Sequence, residues 1–147
     1  MILAGGKGTR MSEETYLKPK PMVEIGGMPI LWHIMKNFNH YGINDFVICC
    51  GYKGNIIKNY FKNIEEDWNV TCVNTGLNSM TGGRLKRIKK LVEEETFCFT
   101  YGDTLNDVKI NSLINFHKKK SKMATVTACQ PTEKYGILDI KNNTVVS

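Results

Sequence analysis

Two kinds of hydrophobic pattern take turns along this chain. Short continuous apolar runs occur at Met1 to Ala4, Asp45 to Cys50 (DFVICC), Val70 to Val73, Phe97 to Tyr101 and Met123 to Cys129. Runs of this length, rich in β-branched and aromatic residues, predict buried strands. Between them the period changes to that of a helix. Ile30, Leu31, Ile34, Met35, Phe38 and Tyr41 share one face, Pro29 stands at the start and Gly42 fits the position just past the end. Asn55 to Ile64 predicts a second helix with Ile56, Ile57, Tyr60, Phe61 and Ile64 inward. A basic amphipathic helix from Gly83 turns Leu85, Ile88, Leu91 and Val92 inward, and Ile110 to Lys120 predicts a fourth. Near the end, Ile137 to Ile140 and Thr144 to Val146 flank Asn142-Asn143 and predict a hairpin. Strand and helix alternate, so the expected class is α/β, a mainly parallel sheet with helices on both faces. There is no internal repeat, low-complexity tract or linker between domains.

In such sheets ligands sit beyond the carboxyl ends of the strands. Three features fall there. The first run opens into Gly5, Gly6, Lys7, Gly8, Thr9 and Arg10. Glycines let backbone N–H groups close on a phosphate, and Lys7 and Arg10 add positive charge. This is neither a Walker A loop, since Lys7 is followed by Gly8, nor a dinucleotide fingerprint, since the third glycine is missing. Alone it is equally a plain strand-to-loop turn. The second feature is the polar loop Asn74 to Arg87, in which Arg84, nearest the glycine pair Gly82-Gly83, is the expected ligand contact. The third is Asp103, which follows FCFTYG and is placed to hold Mg²⁺, with Asp107 four residues on. The prolines of Lys18-Pro19-Lys20-Pro21 argue against helix, so an extended track presenting Lys18 and Lys20 on one side is expected. A glycine-rich anion turn, positioned lysines and one carboxylate suit phosphoryl or nucleotidyl transfer by positioning and charge neutralisation.

Composition narrows this only a little. The 147 residues are 41% hydrophobic, enough for one core, with a formal charge of +6 and a pI near 9.1. That balance suits nucleotides, sugar phosphates, nucleic acid or an anionic surface alike. Arg84, Lys86, Arg87, Lys89 and Lys90 could form a nucleic-acid face, but no aromatics are interleaved with them. Cys49, Cys50, Cys72, Cys98 and Cys129 are odd in number, show no C-x-x-C and lie in apolar runs. They are expected to be reduced and buried, as in a cytoplasmic protein. His33, His40 and His117 have no partner at metal or nucleophile spacing and are expected to be structural. No signal-peptide pattern precedes Gly5, and no run approaches the roughly 20 apolar residues of a membrane span.

LAGGKGTR at Leu3 to Arg10 and KPKPM at Lys18 to Met22 resemble the signature of the sugar-phosphate nucleotidyltransferases. EETYLKPKPMVEIGGMPILWHIM, NDFVICCGYKG, MTGGRLKR and FCFTYGD extend the likeness over nearly the whole chain, toward the cytidylyl-transferring branch. The resemblance implies a Rossmann-like nucleotidyltransferase fold. It also implies attack of α-D-glucose 1-phosphate on CTP to give CDP-glucose and pyrophosphate, for deoxysugar and surface-polysaccharide synthesis. By the match Leu3, Ala4, Gly5, Gly6, Lys7, Gly8, Thr9 and Arg10 line the nucleotide, and Arg10 neutralises the triphosphate. Lys20 touches the reacting phosphates, Ser79 and Arg84 the nucleotide, Gly102 the substrate, and Asp103 holds Mg²⁺.

Against the family pattern the segment between Phe61 and Trp68 is short. Asn74 stands where Asp is usual, Thr104 where Gly is usual, and Thr132 to Leu138 differs. The resemblance implies a continuation past Ser147 that supplies much of the sugar-binding half and a second Asp for the metal. Residues 1–147 then form the N-terminal, nucleotide-binding portion of a nucleotidyltransferase domain. It also implies assembly with further copies of the chain. The competing readings are a sugar-phosphate nucleotidyltransferase with another base or sugar, a nucleotide-binding module without turnover and, more distantly, a nucleic-acid-binding domain.

Overall fold

A computed structural model describes residues 1–6, 16–92, 96–129 and 139–146. The chain divides into two units, Met1–Asp107 and Val108–Ser147. The first is built on a four-stranded parallel sheet of β1 (Ile2–Ala4), β4 (Asp45–Cys50), β5 (Asn69–Asn74) and β6 (Thr100–Tyr101), in the order β5-β4-β1-β6. Ile2 pairs with Ile48 on one side and Thr100 on the other. Asp45 to Cys50 run in register with Asn69 to Asn74. A hairpin of β2 (Glu24–Ile25) and β3 (Met28–Pro29) interrupts the passage from β1 to β4. Its turn is Gly26-Gly27, both at positive φ (59° and 82°).

The two faces of the sheet follow from the strand period of two. Ile2, Ala4, Phe46, Ile48 and Cys50 point one way, Leu3, Val47 and Cys49 the other. α1 (Ile30–His40) and α2 (Gly54–Lys62) cover the first face. α1 buries Leu31, Ile34, Met35 and Phe38, as its 3.6-residue spacing requires. α2 sits so close that a Cβ on Gly54 would lie 2.8 Å from Cys50 Cβ. The second face is covered by the kinked pair α3 (Thr81–Arg87) and α4 (Lys89–Val92), whose Ile88 packs on Leu3 and Cys49 with Val73 and Val92 around it. The expected helices on both faces are therefore present.

The strand order gives the site its place. From β1 the chain winds outward through β4 to β5, then returns to lay β6 on the opposite side of β1. The switch point lies between β1 and β6, where open parallel sheets form a crevice at their carboxyl ends. Gly5-Gly6 leave β1 there, and Gly102-Asp103 leave β6.

Several expectations shift. The second helix begins at Gly54 and ends at Lys62; Ile57 and Phe61 are buried while Ile56 is exposed. The basic helix breaks at Ile88 and buries Arg84, leaving Leu91 half exposed. Only Thr100 and Tyr101 of Phe97 to Tyr101 join the sheet, because the ladder with β1 is two residues long. In the second unit α5 (Ile110–Lys120) has its predicted bounds, and β7 (Ile140–Lys141) and β8 (Thr144–Val145) form a hairpin. Asn142 and Asn143 turn it at φ 50° and 60°, the conformation that favours Asn in such turns. Met123 to Cys129 forms no strand; Met123, Val126 and Cys129 are exposed, since an apolar run without a ladder partner stays unpaired. Cys49 and Cys50 are buried as expected, Cys72 and Cys98 are partly covered, and all five thiols are free. Among the described residues no helix is long and apolar enough to cross a membrane.

Candidate functional site

Lys20 reaches the switch point by a route that the proline pattern did not suggest. Lys20–Met22 is a single 3-10 turn capped by Pro19, closed by Met22 N–H to Pro19 O (2.7 Å) and Val23 N–H to Lys20 O (3.1 Å). Pro21 is tolerated because the first turn of a helix needs no N–H from it. The turn points the two lysines apart, so the single track of Lys18 and Lys20 is not formed. Lys18 bonds Glu24 (2.8 Å), whereas Lys20 Nζ lies 2.8 Å from Asp103 Oδ2. Both members of the second pair are about one-third exposed (33% each). A cation and a carboxylate from positions 83 apart in sequence thus meet at the crevice.

Gly102 makes this meeting sterically feasible. Its N–H donates to Leu3 O (2.8 Å). A Cβ there would stand 2.9 Å from Leu3 O and 3.3 Å from both Ala4 Cβ and Pro21 Cγ. The lysine-bearing turn therefore rests directly on the strand ends. Leu3 and Ala4 are core side chains (8% and 1% exposed), so what they offer at this edge is backbone.

On the other side of β1 stands Arg84, the expected ligand contact. Its guanidinium is turned inward and the residue is 5% exposed. Nη1 donates to Cys50 O (3.1 Å) and Thr75 Oγ1 (2.6 Å), Nη2 to Gly5 O (3.0 Å), with a longer contact to Leu77 O (3.5 Å). Burial holds the guanidinium below its ordinary range. A Cβ on Gly5 would fall 2.1 Å from Arg84 Nη1, and one on Gly51 would fall 2.6 Å from Gly5 O and 2.8 Å from the same nitrogen. Gly5 and Gly51 thus make room for an arginine; Gly6 has no described atom within 4 Å of its missing Cβ.

Sequence reasoning passed over Thr75, which ties this cluster together. It is fully buried; its N–H (2.9 Å) and hydroxyl (2.8 Å) both donate to Cys50 O while the hydroxyl accepts from Arg84. Its own carbonyl accepts from Ser79 Oγ (2.5 Å) and from Arg87. The loop that presents it turns at Gly76 (φ 87°), whose N–H donates to Asn74 Oδ1 (3.0 Å). Asn serves that turn as Asp would, since only an acceptor oxygen is needed. Ser79 borders an open depression of about 680 Å³ with Gly76, Asn78, Gly83, Lys86 and Arg87. Lys53 also went unnoticed: it follows β4 in a left-handed conformation (φ 48°), and its amine bonds Tyr16 O and Leu17 O (3.1 Å to the latter).

Lys7, Gly8, Thr9 and Arg10 lie outside the described residues, as does Thr132 to Leu138. Asp107 is exposed, and among the described residues no group of three or more His, Cys, Asp or Glu side chains is gathered for a metal. The histidines have local partners: His33 donates to Ile25 O (2.8 Å), His117 bonds Thr125 Oγ1 (2.9 Å) and His40 packs edge-on to Tyr41.

A switch-point crevice with a lysine, a carboxylate and glycine-bearing strand ends defines a nucleotide-handling α/β protein. The family model described as nucleotidyl transferase matches residues 1–147, and the chain belongs to that family. Within it the chain is 52% identical to the glucose-1-phosphate cytidylyltransferase of Salmonella typhimurium, an alignment covering 100% of this chain and 66% of that protein. It is 40% identical to the probable glucose-1-phosphate cytidylyltransferase of Bacillus subtilis, over 97% of this chain and 64% of the other. It thus spans about two thirds of the length of these relatives. Among solved structures, HddC from Yersinia pseudotuberculosis complexed with GMP-PN superposes with a TM-score of 0.68 at 31% identity, over 79% of this chain and 52% of that one. A UDP-glucose pyrophosphorylase complexed with UDP-glucose shares the fold at TM-score 0.69 and 19% identity, over 82% and 53%.

Proposed function

We propose that this chain is the nucleotide-binding portion of an enzyme that transfers the cytidylyl group of CTP to α-D-glucose 1-phosphate, giving CDP-glucose and pyrophosphate. The observation that carries this reading is the Lys20–Asp103 pair (2.8 Å) at the β1/β6 switch point. The 52% identity to a protein of that activity supports the choice of base and sugar. In the reaction an oxygen of the sugar phosphate forms a bond to the α-phosphorus of CTP, and the bond from that phosphorus to the bridging oxygen of pyrophosphate breaks. Charge builds up on the phosphoryl oxygens, so catalysis is positioning and neutralisation. The ammonium of Lys20 supplies positive charge at the reacting phosphates, held in place by the Pro19-capped turn resting on Gly102.

Asp103 suits Mg²⁺. It is a hard oxygen donor, partly open to solvent, and Mg²⁺ ordinarily binds through one or two carboxylates together with substrate phosphates and water. Mg²⁺ held by Asp103 would supply positive charge to neutralise the leaving pyrophosphate. The ammonium of Lys20, beside that carboxylate, would serve the phosphate oxygens. By the family resemblance Lys7 and Arg10 of the glycine turn add positive charge for the triphosphate. The product feeds deoxysugar synthesis for surface polysaccharide, a cytoplasmic step, in an enzyme assembled from several copies.

The test is a thermal melt with CTP, dTTP, ATP and GTP, each with and without Mg²⁺. A ligand at a hundred times its Kd stabilises by ~2.7 kcal/mol, a shift of roughly 5–10 °C for a chain of this size. A Mg²⁺-dependent shift with CTP well above the others is expected. A larger shift with another base moves the specificity, and no shift with any nucleotide overturns the reading for this chain.

A further inference from the structure

We propose that Lys53 is a positioning residue, a latch that pins the Tyr16–Leu17 segment to the end of β4 and so fixes a strap over the β1 end of the crevice. What the strap serves rests on the nucleotide reading above; the latch itself does not.

Lys53 is at odds with its own backbone. It is left-handed (φ 48°, ψ 33°), a conformation that glycine takes without strain and lysine does not. Glycines stand close by, but neither is at positive φ. A Cβ on Gly54 would lie 2.8 Å from Cys50 Cβ, and one on Gly51 2.6 Å from Gly5 O. Close packing accounts for those two and leaves the lysine unexplained. Strain kept at one position points to a use for its side chain. The Lys53 ammonium donates to Tyr16 O and to Leu17 O (3.1 Å), and it lies 5.6 and 5.3 Å from the ring centroids of Tyr16 and Tyr52. The residues it grips are 77% and 75% exposed, so side-chain packing does not hold this segment; the hold is on its backbone.

A little further on, Lys20 meets Asp103 beyond β6. In the order β4-β1-β6 the two anchors stand two strand spacings apart, about 10 Å. The chain from Leu17 to Lys20 has that reach when extended, also about 10 Å. The strap is thus tied at β4 by Lys53 and at β6 by Lys20, and it passes over the end of β1. Lys53 acts on a bound nucleotide through the strap rather than by contact.

The experiment compares the full chain with Lys53→Gly, Lys53→Met and Lys53→Arg by thermal melting, by chymotrypsin cleavage after Tyr16 and Leu17 read by mass spectrometry, and by calorimetry with CTP and Mg²⁺. Lys53→Gly removes the ammonium and relieves the backbone, so its Tm should equal or exceed that of wild type. Its cleavage at Tyr16 and Leu17 should nevertheless rise about fivefold or more, and its Kd for CTP about threefold or more, because the strap is no longer preorganised. Lys53→Met should be cleaved and bind like Lys53→Gly but melt below it. Lys53→Arg keeps donors and should stay near wild type in cleavage and binding. A merely structural lysine would move melting and cleavage together. Wild-type cleavage of Lys53→Gly overturns the latch, whatever happens to binding. Faster cleavage with unchanged CTP affinity overturns the positioning role while leaving the nucleotide reading standing. A wild type that binds no nucleotide overturns that reading and the positioning role with it, and the cleavage rates still decide the latch.

Discussion

Gly5→Ala is the sharpest perturbation of this site, because one methyl group meets one buried cation. The added Cβ would lie 2.1 Å from Arg84 Nη1, 2.3 Å from Cζ and 2.8 Å from Nη2. Contacts under 3.0 Å are essentially never seen at a real Cβ, so the guanidinium must leave its seat. Three good bonds go with it, at 2.6, 3.0 and 3.1 Å. The oxygens left behind are not orphaned: Gly5 O keeps the Tyr52 N–H (3.2 Å), and Cys50 O keeps the N–H and hydroxyl of Thr75. The cost is therefore that of the charge-assisted bonds, set against rehydration of the displaced arginine, about 3 kcal/mol. For a chain of this length that lowers Tm by about 6–12 °C. Gly6→Ala, one residue on, meets no described atom and should stay within about 2 °C of wild type. The assay is a melt of both variants together with Arg84→Ala and the Gly5→Ala/Arg84→Ala double variant. Once the arginine is gone the methyl has nothing to strike, so the double variant should be no less stable than Arg84→Ala alone. Equal melting of Gly5→Ala and Gly6→Ala, or simple additivity in the double variant, would refute the reasoning.

Other predictions follow from charge and burial. Lys20→Ala breaks a pair that is one-third exposed on each side, so it should cost under about 1 kcal/mol in a urea melt while removing most of the Mg²⁺-CTP stabilisation. Wild-type nucleotide binding in that variant would displace Lys20 from the site. Asp103→Asn should lose the Mg²⁺-dependent part of CTP binding and, in chelator, bind CTP at least as well as wild type, because a negative charge is gone and Lys20 is freed; calorimetry with and without the metal decides it. Alkylation followed by mass spectrometry should mark exposed Cys129 first and the buried Cys49 and Cys50 last, since burial pushes both thiols up and only the thiolate reacts. By the same shift the unfolded chain ionises near pH 8.5–9 while the folded one keeps its proton, so Cys49 contributes a loss of stability as pH rises past about 9.

Local and periodic features were legible in the chain before it folded. DFVICC became β4 from Asp45 to Cys50, and the helical spacing from Ile30 became α1. Alternation of the two patterns was enough for a parallel α/β sheet, because each element must bury one face. The motifs Leu3 to Arg10, MTGGRLKR and FCFTYGD were enough for the family. Arg84, Lys20, Gly102 and Asp103 were all singled out from their places in those motifs, but not which way they face. Amphipathic spacing put Leu91 inward, and nearness to the glycine pair put Arg84 at the ligand. Only the folded chain shows Arg84 buried, since an arginine is stable inside when it finds acceptors, and these come from residues 34 and 79 positions away. Two prolines spoke for an extended track; packing of Pro21 against Gly102 makes it a turn and sends Lys20 across to Asp103. Met123 to Cys129 is apolar enough for a strand and forms none, because a strand is a property of a pair. Periodicity reports what one element can bury. Which oxygen meets which cation is settled by strand order, and here the order β5-β4-β1-β6 sets Gly5 and Asp103 on neighbouring strand ends.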